Sequence, residues 1–202
     1  MPKAEAVFLD RDGVINELVY YPEQGMVDSP FTVEQFRLVS GIGRPLRKLK
    51  DLGYKLVVVS NQPGIAKKHH SKKTLEQMGA KMNRLLAAEG VKLDGEYYCL
   101  HHPDARVARY RVNCSCRKPK PGLLLKAAKE RGLSLGRSWM VGDGLPDILA
   151  GKAAGCRTIL LGNTNSLLYR MMAEMGAEPD YQVRTMAEAA KIIEGETARA
   201  RR

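Results

Sequence analysis

Short apolar runs alternate along the chain with stretches in which apolar residues recur every three or four positions. The first run, Ala6–Leu9, stops abruptly at Asp10-Arg11-Asp12, as a strand does where it leaves the interior. Leu46, Leu49 and Leu52 then share a helical face, with Gly53 as the C-terminal stop. Residues 55–60, Lys-Leu-Val-Val-Val-Ser, are apolar and β-branched enough for a strand covered on both faces. Thr74 and Gln77 have capping-box spacing, and Leu75, Met78, Met82, Leu85 and Leu86 continue one face as far as Gly90. A strand over 96–99 opens a loop rich in His, Pro, Arg and Cys that runs to about Pro121. Gly122–Arg131 predicts a helix stopped by Gly132, and 139–141 a strand running into Gly142-Asp143-Gly144. Residues 146–154 predict a helix closed by Gly155, and Arg157–Leu161 the next strand. Late helices are expected over 167–175 and 187–193, the second opened by Thr185 with Glu188 three residues on.

Strands alternating with helices call for parallel βαβ units in a doubly wound, Rossmann-like α/β sheet. There is no internal repeat and no linker, so residues 1–195 read as one domain, with a flexible basic tail over 196–202. At 202 residues and 44% hydrophobic, the chain is long enough to bury a full core. No apolar run reaches the length of about 18 residues that a membrane span needs. The apolar stretch near the start is too short and too charged for a signal-peptide core, so a cytoplasmic location is expected. Four cysteines in a reducing compartment argue against a disulfide framework, and three of them (Cys99, Cys114, Cys116) lie close together. The net charge of +11 favours an anionic partner.

Three predicted strand ends carry the polar residues that phosphate chemistry needs: Asp10 and Asp12, then Ser60-Asn61-Gln62, then Asp143. In an open α/β sheet, ligands bind beyond the carboxyl ends of the strands, near the switch in strand order. Asp10 and Asp12, two apart, point to one side in extended backbone. Carboxylates that close repel unless a cation intervenes, and with Asp143 they suit Mg²⁺, a hard ion that takes oxygen ligands. A lone Asp after a strand commonly caps a turn; three acids, a Ser-Asn pair and a downstream Lys118 in one order are harder to dismiss.

Cys99 and His101, then Cys114 and Cys116, form two pairs spaced i, i+2, so each pair projects to one side. Facing each other, they have the composition of a closed tetrahedral Zn²⁺ site, structural rather than catalytic, in a zinc loop over about 99–116. His102 should project opposite to them. Cys156 reads as a small core residue, and His69 and His70 as exposed.

Asp10-Arg11-Asp12-Gly13-Val14 resembles the first motif of the haloacid dehalogenase superfamily of phosphohydrolases. Ser60 resembles its second motif, Lys118 its third, and Gly142-Asp143-Gly144-Leu145-Pro146-Asp147 its fourth. Ser60-Asn61-Gln62-Pro63-Gly64-Ile65-Ala66, Cys99-Leu100-His101-His102-Pro103 and the stretch from Cys114 to Gly122 resemble the zinc-loop histidinol-phosphate and heptose-bisphosphate phosphatases, the second group more closely. Two departures are Leu100, where the family usually has Pro, and Gly144, where heptose-bisphosphate phosphatases commonly have Lys.

The resemblance implies a capless phosphatase, because the intervals from Gly13 to Ser60 and from Ser60 to Lys118 leave no room for a lid domain. It implies Asp10 as nucleophile, Asp12 as general acid and base, and Ser60 and Lys118 as stabilisers of the phosphoryl oxygens. Mg²⁺ would be held by Asp10, Asp12 (through its main-chain carbonyl) and Asp143; Zn²⁺ by Cys99, His101, Cys114 and Cys116. Arg11, Tyr21, Asn61, Gln62 and Arg117 would contact substrate. The implied reaction removes the C7 phosphate of a heptose 1,7-bisphosphate in nucleotide-activated heptose synthesis for surface polysaccharide. Partners are then a small phosphorylated sugar alone, with no nucleic acid, no membrane and a monomeric protein. The alternatives are a histidinol-phosphate phosphatase and, in another class, a basic zinc-bearing nucleic-acid-binding protein or polynucleotide 3′-phosphatase. Against the latter stands an aromatic content of 6%, with no stacking array near the basic clusters.

Overall fold

The structure, a computed structural model, describes residues 3–162 and 166–201. Six parallel strands make the main sheet: β1 (Ala6–Leu9), β4 (Lys55–Asn61), β5 (Gly95–Cys99), β6 (Trp139–Gly142), β7 (Arg157–Leu161) and β8 (Tyr181–Val183), in the order β5-β4-β1-β6-β7-β8. β1 pairs with β4 on one side and β6 on the other, so the direction of winding reverses beside it. All four β1 residues are buried, as expected for a strand covered on both faces.

Alternation along the strands divides the core in two. Val7, Leu9, Leu56, Val58 and Val141 pack with α1 (Gly43–Asp51), α3 (Lys72–Ala88) and α7 (Met186–Ala200). Ala6, Phe8, Val57, Val59 and Met140 pack with α4 (Gly122–Arg131) and α5 (Leu145–Ala153) on the other face. A short α2 (Gly64–Lys67) follows β4, and α6 (Ser166–Glu174) lies between β7 and β8. Among the described residues, no helix is long and apolar enough to cross a membrane.

Three expectations change. The helix placed near Thr74 begins a turn earlier, because the Ser71 hydroxyl accepts the Thr74 N–H at 3.0 Å and is the true N-cap. A two-stranded antiparallel hairpin, β2 (Val19–Tyr21) and β3 (Met26–Asp28), appears where no strand was read; three-residue strands are too short to show a period.

The third change is the basic end, expected as a flexible tail over 196–202, which stays helical to Ala200. The Thr197 hydroxyl is buried, 2.9 Å from the Tyr54 hydroxyl, and donates to Ile193 O. Arg157 holds Glu196 at 2.7 Å, and Arg201 donates to Leu52 O. A helix with long-range bonds through its last two turns is no longer a marginal isolated one.

Candidate active site

The cleft opens above β1, where the sheet reverses its winding, as the rule for open α/β sheets requires. Its volume is about 310 Å³, and its walls include Asp10, Asp12, Ser60, Asn61, Lys67, Arg117 and Asp143. A larger cavity of about 640 Å³ shares Leu18 and Asp143 with it but touches neither Asp10 nor Ser60.

Two glycines allow the strand ends to converge. A Cβ on Gly13, whose φ is +77°, would lie 2.0 Å from Asp143 Oδ2, and one on Gly142 would lie 2.3 Å from Asp147 Cβ. Only glycine lets the β1 loop, Asp143 and Asp147 crowd into one place.

Lys118 is the hub of the floor. Its ammonium is 2% exposed, 3.0 Å from Asp10 Oδ1 and 2.5 Å from Asp147 Oδ1, and it donates to Val59 O at 2.9 Å. Burial works against the charged form, but the carboxylates of Asp10 and Asp147 prevail and push the ammonium up to about 12. The Asn61 amide places this residue: Oδ1 accepts the Lys118 N–H and Nδ2 donates to Lys118 O, each at 3.0 Å.

Asp10, Asp143 and Asp147 bring one carboxylate oxygen each within 4.8 Å of one another, close enough to hold a cation together. Both oxygens of Asp147 are already engaged, one by Lys118 and the other by the Gly144 N–H at 3.1 Å. Asp10 and Asp143 are therefore the pair left facing the cleft. Enclosure at its base, then the charges of Asp10 and Asp147, push the Asp143 carboxyl up to about 7. Its tip still opens to the cleft, so the neighbouring charges are the part a bound cation would relieve.

The second cluster gathers behind the cleft wall. Cys116 Sγ lies 3.1 Å from Cys99 Sγ, 3.3 Å from Cys114 Sγ and 3.5 Å from His101 Nδ1. The four donor atoms all lie within 4.8 Å of one another, the arrangement four ligands take around one ion. Burial opposes ionisation of Cys114, yet contacts with Cys116, the Arg117 amide, Cys99 and His101 bring it down to about 6. Three thiols and an imidazole facing inward fit a soft cation better than they fit an apolar core. His102 turns away and accepts the Asp104 N–H at 3.1 Å.

The structure corrects three expected substrate contacts. Arg11 is fully buried, its guanidinium on the Asp12 carboxylate at 3.0 Å and between the Phe36 and Tyr98 rings. Gln62 is 1% exposed and donates to Asp12 Oδ2 at 2.6 Å and to Ser60 Oγ at 3.1 Å. Tyr21 stacks on Phe31, and its hydroxyl accepts the Phe31 N–H and lies 2.9 Å from Ser29 O, which secures the hairpin. From that hairpin, Val27, Asp28 and Ser29 line the cleft instead. His69 and His70 are half-buried rather than exposed: His69 packs on Phe31, and His70 covers Gly64. Asn61 and Arg117 do line the cleft, and Arg117 also donates to His101 O at 3.1 Å.

Three further residues of the site were missed. Asp147 was quoted in the fourth motif without a role, and its place four residues after Asp143 in a helix start was the available signal. Lys67 stands in a basic cluster with Lys68 and has no place in the expected site, and Asn16, which donates to Asp12 Oδ1 at 2.9 Å, gives no sequence signal.

Comparison with known proteins fixes the class. Residues 115–189, which carry Lys118, Asp143 and Asp147, match the HAD-hydrolase-like family. The chain is 39% identical over 192 residues to the D-glycero-beta-D-manno-heptose-1,7-bisphosphate 7-phosphatase of Pasteurella multocida, covering 95% of this chain and 97% of that protein. It is 41% identical over 159 residues to the Escherichia coli K12 protein of the same name, covering 79% of each. The crystal structure of D,D-heptose 1,7-bisphosphate phosphatase from B. bronchiseptica, complexed with magnesium and phosphate, superposes with a TM-score of 0.76 at 28% identity, covering 95% of this chain and 99% of that one. The chain belongs to this heptose-bisphosphate phosphatase family.

Proposed function

We propose that this phosphatase removes the C7 phosphate of a D-glycero-D-manno-heptose 1,7-bisphosphate through an aspartyl phosphate on Asp10. The observation that carries the reading is the distribution of cations. Lys118 sits on the floor between Asp10 and Asp147, while Lys67 and Arg117 line the same cleft outside that ion pair. One monophosphate needs only the first; a substrate with a second anionic group can use the others.

In the first step an Asp10 carboxylate oxygen attacks phosphorus in line, and the bond from phosphorus to the C7 oxygen breaks. Asp12 delivers its proton to that departing oxygen. In the second step water attacks the aspartyl phosphate, Asp12 takes a proton from the water, and inorganic phosphate leaves with Asp10 restored. Ser60, the main-chain N–H of Asn61 and Lys118 would stabilise the equatorial oxygens where charge redistributes. Asp10, Asp143 and the main-chain carbonyl of Asp12 would hold Mg²⁺, which when bound offsets repulsion between the substrate dianion and an anionic nucleophile. Cys99, His101, Cys114 and Cys116 would hold Zn²⁺, which when bound cross-links a loop with little apolar core of its own.

The test is a substrate panel of heptose 1,7-bisphosphate anomers, histidinol phosphate and 3′-phosphorylated DNA, with the product followed by phosphorus NMR. Retention of the anomeric phosphate and loss of the C7 phosphate is the expected result. Preference for histidinol phosphate or for DNA ends would replace the proposal. Elemental analysis should find about one zinc per chain after brief EDTA treatment, with activity returning on addition of Mg²⁺ alone.

A further inference from the structure

We infer that Arg11, Asn16 and Gln62 form a buried clamp that positions the Asp12 carboxylate, and that Gln62 acts in catalysis through Asp12 rather than on substrate. The inference rests on the acid and base role of Asp12 proposed above. Asp12 Oδ1 accepts from Arg11 Nη2 at 3.0 Å, from Arg11 Nε at 3.3 Å and from Asn16 Nδ2 at 2.9 Å. Its Oδ2 accepts from Gln62 Nε2 at 2.6 Å and from Arg11 Nη2 at 3.2 Å. An ionised carboxylate offers about four lone-pair sites, so donors from three residues define its rotation as well as its position.

The donors are themselves held. Arg11 and Asn16 are 0% exposed and Gln62 is 1% exposed, so water cannot compete for them. Arg11 sits 5.9 Å from the Phe36 ring centroid and 5.8 Å from that of Tyr98, and its Nη1 has no hydrogen-bond partner among the described residues. A buried, unpaired guanidinium N–H is costly, and a stability role alone would be served better by an apolar residue. Asn16 is fixed by its main chain, accepting the Gly13 N–H at 2.8 Å and donating to Arg11 O at 3.0 Å. Gln62 is fixed by its N–H on Cys99 O at 2.7 Å. One member of the clamp is therefore bonded directly to a residue of the Cys/His cluster.

Position matters most where a proton must travel to a poor leaving group. A sugar alkoxide needs a proton as its bond to phosphorus breaks; p-nitrophenolate, a stable anion, does not. Gln62→Met keeps the length of the side chain and removes both donated hydrogen bonds. The quantity to measure is kcat/KM, which reports steps through the first irreversible one, for a sugar phosphate and for p-nitrophenyl phosphate. Asp12→Ala serves as the reference, and thermal melting checks that each variant folds.

The expected result is a fall of about 10- to 100-fold in the ratio of the two specificity constants for Gln62→Met, within the range a general acid supplies. Asp12→Ala should lower the ratio further. If both substrates lose equally in Gln62→Met, the residue supports the phosphoryl site through Ser60 Oγ and the clamp is overturned. If the ratio is unchanged in Gln62→Met but collapses in Asp12→Ala, Asp12 needs no such positioning and the clamp is again overturned. A ratio unchanged in Asp12→Ala would instead overturn the acid and base reading on which the clamp depends.

Discussion

The floor of the cleft and its rim are built on opposite terms. On the floor, Lys118, Asp147 and Ser60 are at most 2% exposed, and each polar group is tied to a strand end or to a helix start. On the rim, Leu18 is 42% and Val27 60% exposed, and the hairpin that carries Val27 has strands of only three residues. In the proposed reaction the floor would meet the transferred phosphoryl group, which is common to every substrate of this chemistry, so fixed geometry is useful there. The rim would meet the remainder of the substrate, and a capless enzyme has only its loops with which to select it. Damage to the floor should therefore affect all substrates alike, whereas damage to the rim should change the ranking among them.

The largest effect should come from Asp10→Asn, which is nearly isosteric and cannot form the aspartyl phosphate. Turnover should fall by at least about 10³-fold for every substrate, with the melting temperature little changed. Residual activity that differs between substrates would mean that the floor is not the common element.

Lys118→Met should lower stability as well as rate, because it leaves the buried Asp147 beside the partly buried Asp10 without their shared cation. Loss of one partner of such a buried pair costs about 3–5 kcal/mol, to be read from denaturant unfolding.

Arg117→Ala tests the rim. It should impair a heptose bisphosphate more than a small monophosphate by roughly 1.5–3 kcal/mol, the range of a charge-assisted hydrogen bond. That corresponds to about 10- to 150-fold in the ratio of kcat/KM values. An unchanged ratio would place Arg117 with the floor, acting through His101 O.

The smallest effect is a proton count. In the metal-free protein the Asp143 carboxyl is raised from 3.8 to about 7, so the folded form holds a proton there that the unfolded chain has lost. Stability of the metal-free protein should accordingly fall as pH rises through that window. Mg²⁺ binding should release up to one proton below about pH 7 and almost none well above it, and the apparent affinity should weaken as pH falls. Calorimetry in two buffers of different ionisation enthalpy measures that count; equal release at acid and alkaline pH would remove Asp143 from the metal site.

The gathering of Asp10, Asp12, Ser60 and Asp143 at one cleft was legible because each ends or follows a recognisable strand in a fixed order. Asp10 and Asp12, two apart just beyond β1, both line the cleft, and β1 and β4 appear as uninterrupted apolar runs. Arg11 was misplaced although the same alternation argues against it: the residue between two cleft-facing carboxylates points the other way, into the core. Gln62 has the parity of Ser60 and was read as a substrate contact, since nothing local shows that it lies beneath Asp12 rather than above it. The pairing of Tyr54 with Thr197, 143 residues apart, decides that the last helix does not fray, and separations of that kind leave no local trace.

The Asn61 amide, bonded to both the N–H and the C=O of Lys118, behaves as a one-residue strand added to the sheet. Lys118 belongs by sequence to an irregular loop, yet its main chain is held by the last residue of β4. Its motion should thus follow the sheet and not the loop. In hydrogen–deuterium exchange the Lys118 amide should be protected to a degree close to that of β4, while the amides of Asn113 and Ser115 exchange quickly. An ammonium on such a tether would keep its place, in the role proposed for Lys118, whatever the loop beside it does.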